Sequence, residues 1–216
     1  MKKTPRANRL HIAVYGRRNV GKSSLINSLT NQDLALVSDV AGTTADPVYK
    51  SMELLPFGPV VMIDTAGIDD EGELGKLRIK KTKEVMRRTD LALLVFDYKK
   101  GVTEYEKKLL KMMEKRNIVV IPVINKKDLV KGSNNFEKNI NNLNNKIDKY
   151  SSKKTADNNL ICQTIVVSAR TNENINKLKE KIIANAPDDY EKSTIIGDLH
   201  SRGEVVILVT PIDSSA

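Results

Sequence analysis

Lys22 and Ser23 close the stretch "GRRNVGKSS" (16–24), in which four residues separate Gly16 from Gly21 and a lysine and a hydroxyl follow at once. Residues in that order can cradle phosphate. Glycine lets the backbone approach an anion, successive N–H groups point at its oxygens, and a helix starting there adds its positive end. Asn19, Val20, Gly21, Lys22, Ser23 and Ser24 then form the binding loop, with the Lys22 ammonium on the β and γ phosphates and the Ser23 hydroxyl on Mg2+. An ordinary Gly-rich turn has the same composition, so the loop needs company. "DTAG" (64–67) and "NKKD" (125–128) supply it. Asp64 can hold Mg2+ through a water, and the Gly67 N–H can meet the γ phosphate with no side chain in the way. The next residue is Ile68, where a glutamine would orient the attacking water.

"NKKD" selects the base. The Asp128 carboxylate can accept two N–H bonds from the Watson–Crick edge of guanine, whereas adenine presents an acceptor there, at a cost of roughly several kcal/mol. GTP is therefore expected over ATP, with GDP as the hydrolysed form. Asn125 is expected to tie this loop to the phosphate loop, and the Lys126 stem to cover the base. In "SAR" (168–170), Ser168 shapes the turn and the Ala169 N–H faces the guanine oxygen. "SDVAGTTADP" (38–47) is too polar and Gly-rich for a regular element but suits a loop that orders around a ligand. Within it Thr44 is the candidate for a second Mg2+ hydroxyl, released when the γ phosphate leaves. Lys22, Thr44 and Gly67 are thus catalytic candidates.

These loops need strands to hold them. The apolar runs 10–15, 60–64, 91–96, 118–124 and 161–168 are continuous, as strands covered on both faces are. Helix-periodic stretches at 22–30, 76–88, 103–115 and 173–185 alternate with them. The economical architecture is α/β, a doubly wound, mostly parallel sheet of about six strands in the P-loop manner. "YKSMELL" (49–55) joins the next strand through "PFGP" and predicts a hairpin, hence one antiparallel strand.

A chain of 216 residues, 40% apolar, holds one domain of ordinary size with a remainder. Residues 1–187 are expected to be a GTP-binding domain. Residues 131–160 carry six Lys and nine Asn against three acids and predict a solvated low-complexity insertion. Residues 188–216 read as a linker and the truncated start of a second domain, because "GEVVILVTPID" (203–213) is a strand with no later strand to pair with. The net charge of +9 is spread along the chain and permits attraction to anions. One cysteine excludes an internal disulfide and points to a reduced, cytoplasmic setting. No apolar run reaches the ~18 residues of a membrane span. Lone His11 and His200 read as structural or surface residues, and Cys162 as a small buried hydrophobe.

The phosphate-loop Asn together with "GTT" resembles the translation-factor-related GTPases of the Era and TrmE type over about residues 8–186. "TPRANRLHIAVYGRRNVGKSSLINSLTNQDLALVSDVAGTTADPV" and "ELLPFGPVVMIDTAGIDDEGELG" are more similar still to the HydF-type GTPases of FeFe-hydrogenase maturation. That resemblance implies a GTPase domain followed by a dimerisation domain and a Cys- and His-rich domain with a 4Fe-4S cluster, which is expected to be absent from this chain. It also implies hydrogenase-maturation proteins and the hydrogenase as partners; a homodimer is possible, and neither a membrane nor nucleic acid is expected as a partner. Relatives with an apolar residue after "DTAG" often use K+ instead of a glutamine. On that pattern Asn19 and the Ser38 and Val40 carbonyls are the K+ ligands, and hydrolysis is slow and K+-stimulated. TrmE-like enzymes orient water with a glutamate beyond the motif. Asp69, Asp70, Glu71 and Glu73 all lie there, and Glu73 is the catalytic candidate among them. Ala45 stands where the "GTTRD" form has arginine. An RNA- or ribosome-directed GTPase of the Era type and a nucleotide-binding scaffold that never hydrolyses are the alternative functions.

Overall fold

The computed structural model describes residues 9–31, 47–65, 81–97, 102–130, 140–141, 144–145, 147 and 160–187. Six strands, β1 (Leu10–Tyr15), β2 (Val48–Leu54), β3 (Gly58–Asp64), β4 (Leu91–Asp97), β5 (Val119–Asn125) and β6 (Ile165–Val166), form one sheet in the order β2-β3-β1-β4-β5-β6. All neighbouring pairs are parallel except β2 with β3, the predicted hairpin, where Val48 lies opposite Asp64 and Leu54 opposite Gly58. β1 has β3 on one side and β4 on the other. The C-terminal end of β1 is therefore the switch point at which open α/β sheets bind ligands.

Side chains alternate along each central strand, and both sets are buried. Leu10, Ile12 and Val14 of β1, with Leu91, Leu93 and Val95 of β4, enter one core, shared with α1 (Lys22–Asn31) and α4 (Ile175–Ala184). Ala13, Tyr15, Ala92, Leu94 and Phe96 enter the other, which holds Val85 and Met86 of α2 (81–86) and Leu109, Leu110 and Met113 of α3 (Glu104–Glu114). Helices on both faces explain why the strands read as unbroken apolar runs. The Tyr15 hydroxyl, buried in the second core, bonds the Thr89 hydroxyl at 2.8 Å. Burial pushes its pKa well above the ordinary phenol value, with the Thr89 bond opposing.

Two expectations change. The run 161–168 is regular strand only at Ile165–Val166, with a single bridge from Ile161 to Val120. Ile165 lies four positions after Ile161, whereas their partners Val120 and Val123 lie three apart. The extra residue on the edge interrupts the ladder. The polar segment 131–160 is not wholly a solvated insertion. Residues 140, 141, 144, 145 and 147 are helical, Ile147 is buried, and Ile140 packs against the same core. The two isoleucines stand seven apart, on one helical face, and the Asn-rich composition hides that pattern.

The remaining helices follow their periodicity, with ends set by local chemistry. Thr103 caps α3 and Glu106 closes a capping box with it. Asn174, at φ 60°, precedes α4 and starts it two residues after the predicted position at 173. Residues 76–80 of the predicted second helix, the whole of 188–216 and the tail strand 203–213 lie outside the described residues.

Candidate nucleotide site

The phosphate loop occupies the switch point because β1 ends at Tyr15 and α1 begins at Lys22. Gly16 adopts φ +146°, and a Cβ there would lie 2.4 Å from the Val95 carbonyl oxygen of β4. Gly21, at φ +93°, would place a Cβ 2.4 Å from Nδ2 of Asn125. Both glycines are thus fixed by backbone angle and by close approach of a neighbouring element. Asn19 turns the loop at φ 62°, a conformation that asparagine tolerates better than most residues. The Lys22 side chain, 7% exposed, bends back over the loop, and its ammonium donates to the Gly16 carbonyl at 3.0 Å and the Arg17 carbonyl at 2.8 Å. Ser23 and Ser24 follow in the first turn of α1 with exposed side chains.

The base loop arises at the ends of β5 and β6. Asn125, 3% exposed, is the joint of the site. Its Nδ2 donates to the Val20 carbonyl at 3.2 Å, and its Oδ1 accepts the Ala169 N–H at 3.0 Å. One amide therefore ties the phosphate loop to the "SAR" turn, using both its donor and its acceptor. Lys126, at φ 67°, extends over the loop and donates to the Asn19 carbonyl. The Ser168 hydroxyl, fully buried, donates to Oδ1 of Asp128 at 2.7 Å and accepts the Thr171 N–H at 3.2 Å. That bond aims the Asp128 carboxylate and leaves its other oxygen for a further donor. A bridge from Ser168 to Glu173 and the ion pair of Lys127 with Glu173 hold the turn.

Between these loops lies a cleft of about 590 Å³, lined among others by Gly21, Ser24, Asn125, Lys126, Asp128 and Ala169. This volume lies in the usual range for small-molecule sites. Asp64 ends β3 beside β1, in register with Val14, so its carboxylate belongs to the same edge of the sheet as the phosphate loop. Thr44, Gly67, Ile68, Glu73, Ser38 and Val40, and with them Ala45, Asp69, Asp70, Glu71 and His200, lie outside the described residues. His11 sits on β1 away from the cleft, its backbone N–H and ring both directed to Asp90. Among the described residues no cluster of three or more His, Cys, Asp or Glu could hold a metal ion. The groups available to a cation here are the Ser23 hydroxyl and the Asp64 carboxylate, hard oxygen donors of the kind that hold Mg2+ together with phosphate.

Sequence reasoning passed over five supporting side chains. Thr65 donates to the Val14 carbonyl at 2.6 Å and locks the start of "DTAG" to β1. Ser28 of α1 donates to Asn172 at 2.6 Å, fastening the helix to the base turn. Arg17 donates to Glu106 of α3 at 2.7 Å. Only Glu106 had a readable signal, the Thr-x-x-Glu spacing of a capping box; the other contacts join residues far apart in sequence.

Residues 11–126 match the family described as 50S ribosome-binding GTPase. The chain is similar to GTPase Der of a Nitratiruptor species, 33% identical over 185 residues that cover 84% of this chain and 37% of that protein. It is also similar to the tRNA modification GTPase MnmE of Prochlorococcus marinus, 38% identical over 163 residues, 75% of this chain and 31% of that one. The chain thus spans about a third of the length of these curated relatives. Among solved structures, Era in complex with MgGDPNP and nucleotides 1506–1542 of 16S ribosomal RNA aligns with a TM-score of 0.63 at 26% identity, over 82% of this chain and 57% of that one. A variant of Aquifex aeolicus Era bound to GDP.AlF4- aligns with a TM-score of 0.66 at 23% identity, over 85% and 60%.

Proposed function

The chain belongs to the 50S ribosome-binding GTPase family, and from that premise we propose that it binds GTP and GDP in the cleft between the phosphate and base loops and hydrolyses GTP as a molecular switch. The observation that carries this reading is the Asn125 amide, which joins the Val20 carbonyl to the Ala169 N–H and so assembles both halves of the site. In this reading the purine lies against the Lys126 stem. Asp128, held by Ser168, accepts the two guanine N–H groups. The loop N–H groups from Asn19 to Ser24 and the α1 N-terminus face the phosphates, and Lys22 moves its ammonium from the loop carbonyls to the β and γ oxygens.

Ser23 and Asp64 would hold Mg2+, with Thr44 added while the γ phosphate is present, and Asn19 with the Ser38 and Val40 carbonyls would hold K+. Positive charge bound there offsets the charge that develops on the transferring phosphoryl group. Gly67 offers its N–H to the γ phosphate, and Glu73 is the candidate for orienting water in place of the side chain that Ile68 lacks.

The names of the relatives favour an RNA- or ribosome-associated output over hydrogenase maturation, and the net charge of +9 is compatible with it. The RNA in that Era complex weighs weakly against the expectation that nucleic acid is not a partner. A second reading, the switch domain of a metallocluster maturation scaffold, rests on the likeness of "GTTADPV" and "DTAGIDDEGELG" to the HydF type.

The first test is GTP binding and turnover with Mg2+ by the chain and by Asp128→Asn. The wild type is expected to prefer GTP to ATP. The variant should lose GTP and accept xanthosine triphosphate, whose 2-carbonyl meets the new amide donor; unchanged preference would refute the base assignment. A gel shift with ribosomal RNA in rising salt separates the outputs. A steep loss with salt supports the RNA reading, and no shift at low salt together with restored maturation of an apo-hydrogenase supports the other.

A further inference from the structure

Among the described residues, Glu106 is the one fully buried acidic side chain. Its Oε2 accepts the Thr103 N–H at 2.8 Å and the Thr103 hydroxyl, which is the cap of α3. A cap does not require burial, and removing a carboxylate from water costs several kcal/mol unless a charged partner compensates. The partner is Arg17, whose Nε donates to Oε1 at 2.7 Å, with 11% and 0% of the two side chains exposed. Arg17 is the second residue of the phosphate loop, and its carbonyl accepts the Lys22 ammonium at 2.8 Å. The loop is therefore held from two sides. Asn125 and Lys126 grip it from β5, and Glu106 grips it from α3, on the opposite face of the sheet from α1.

We infer that Arg17 and Glu106 are a positioning pair for nucleotide binding: the buried carboxylate fixes Arg17 and with it the course of the phosphate loop, whose N–H groups confront the phosphates. A charge-assisted bond in a buried setting is short and directional, so a loop pinned by one is preorganised. Preorganisation appears as affinity, because the loop has less freedom to lose when ligand binds. Binding at the phosphate loop then depends on where α3 sits. This inference rests on the guanine-nucleotide reading above and adds residues that touch neither base nor phosphate.

The test is a double-mutant cycle in GDP affinity, read with a fluorescent GDP derivative in Mg2+, on the wild type, Arg17→Gln, Glu106→Gln and the double variant, with melting temperatures measured without nucleotide. Each single change is expected to weaken GDP about tenfold, and the double change no more than the stronger single, because the pair acts as one unit. A role confined to capping α3 would lower the melting temperature of Glu106→Gln at wild-type GDP affinity, and that result overturns the inference, as do losses that add. Should Glu106→Gln fail to fold, Arg17→Lys carries the test: it keeps the charge and displaces the donor, so an affinity loss supports the pair and wild-type affinity refutes it. A wild type that binds no GDP counts against the guanine-nucleotide reading instead. In that event amide exchange across residues 16–22 reads the pair directly, with faster exchange in both single variants supporting it and unchanged exchange overturning it.

Discussion

At the residue scale, the site depends on groups with no tolerance for added atoms or lost bonds. Gly21 leaves 2.4 Å between a would-be Cβ and the amide of Asn125. Gly21→Ala should therefore displace the amide that joins the loops and weaken GDP by more than about tenfold, with a smaller fall in melting temperature; titration of labelled GDP measures the first and calorimetry the second. Cys162 tests an environment away from the cleft. Burial pushes its thiol up from the ordinary value, with Lys181 opposing, and its Sγ donates to Asn185 at 3.0 Å. A raised pKa lowers the thiolate fraction, and the thiolate is the nucleophile. Iodoacetamide at about pH 8, just below the ordinary thiol pKa, should modify the folded chain more slowly than free cysteine, and reach the free rate in denaturant.

At the element scale, helices on both faces carry the sheet, and the loops inherit their positions. Leu178 of α4 is fully buried against β1 and α1. Leu178→Ala should cost about 2–5 kcal/mol in chemical denaturation, and because α4 follows the base turn, GDP affinity should fall with it. Ile147 is the anchor by which the Asn-rich segment reaches the core. Ile147→Ala should cost about 2 kcal/mol or more, where a solvated insertion would lose nothing; the same denaturation curves decide. α3 has a double task, since Glu106, which completes its capping box, also receives Arg17.

At the scale of the whole molecule, the proposed nucleotide bridges elements from both sides of β1. Ligand that binds only the folded state stabilises it, by about 2.7 kcal/mol at a hundredfold excess over Kd, and so raises the melting point with concentration. GDP should do so in the wild type and far less in Gly21→Ala. Turnover is expected to be faster in K+ than in Na+, and Asn19→Ala should abolish that difference; equal rates in the two salts with the wild type would remove the K+ proposal. Among the described residues no helix is long and apolar enough to cross a membrane.

Guanine-nucleotide binding was legible in the sequence, because phosphate and guanine recognition depend on backbone N–H groups and short side chains within contiguous tetrapeptides. "GRRNVGKSS", "NKKD" and "SAR" can therefore be read locally, and five of the six strands announce themselves by continuous apolar runs. Tertiary structure alone decided how the tetrapeptides meet. The contacts of Asn125 with Val20 and Ala169, Ser168 with Asp128, Ser28 with Asn172 and Arg17 with Glu106 span 105, 44, 40, 144 and 89 positions. The tie from Asn125 to the phosphate loop is expected from "NKKD", but no local pattern encodes the other pairs, because they exist only once strand order and helix packing have brought the chain back upon itself. The same holds for Ile147, whose burial depends on a core assembled from distant strands, and for the interrupted edge at Ile161, where the register of β5 set the break.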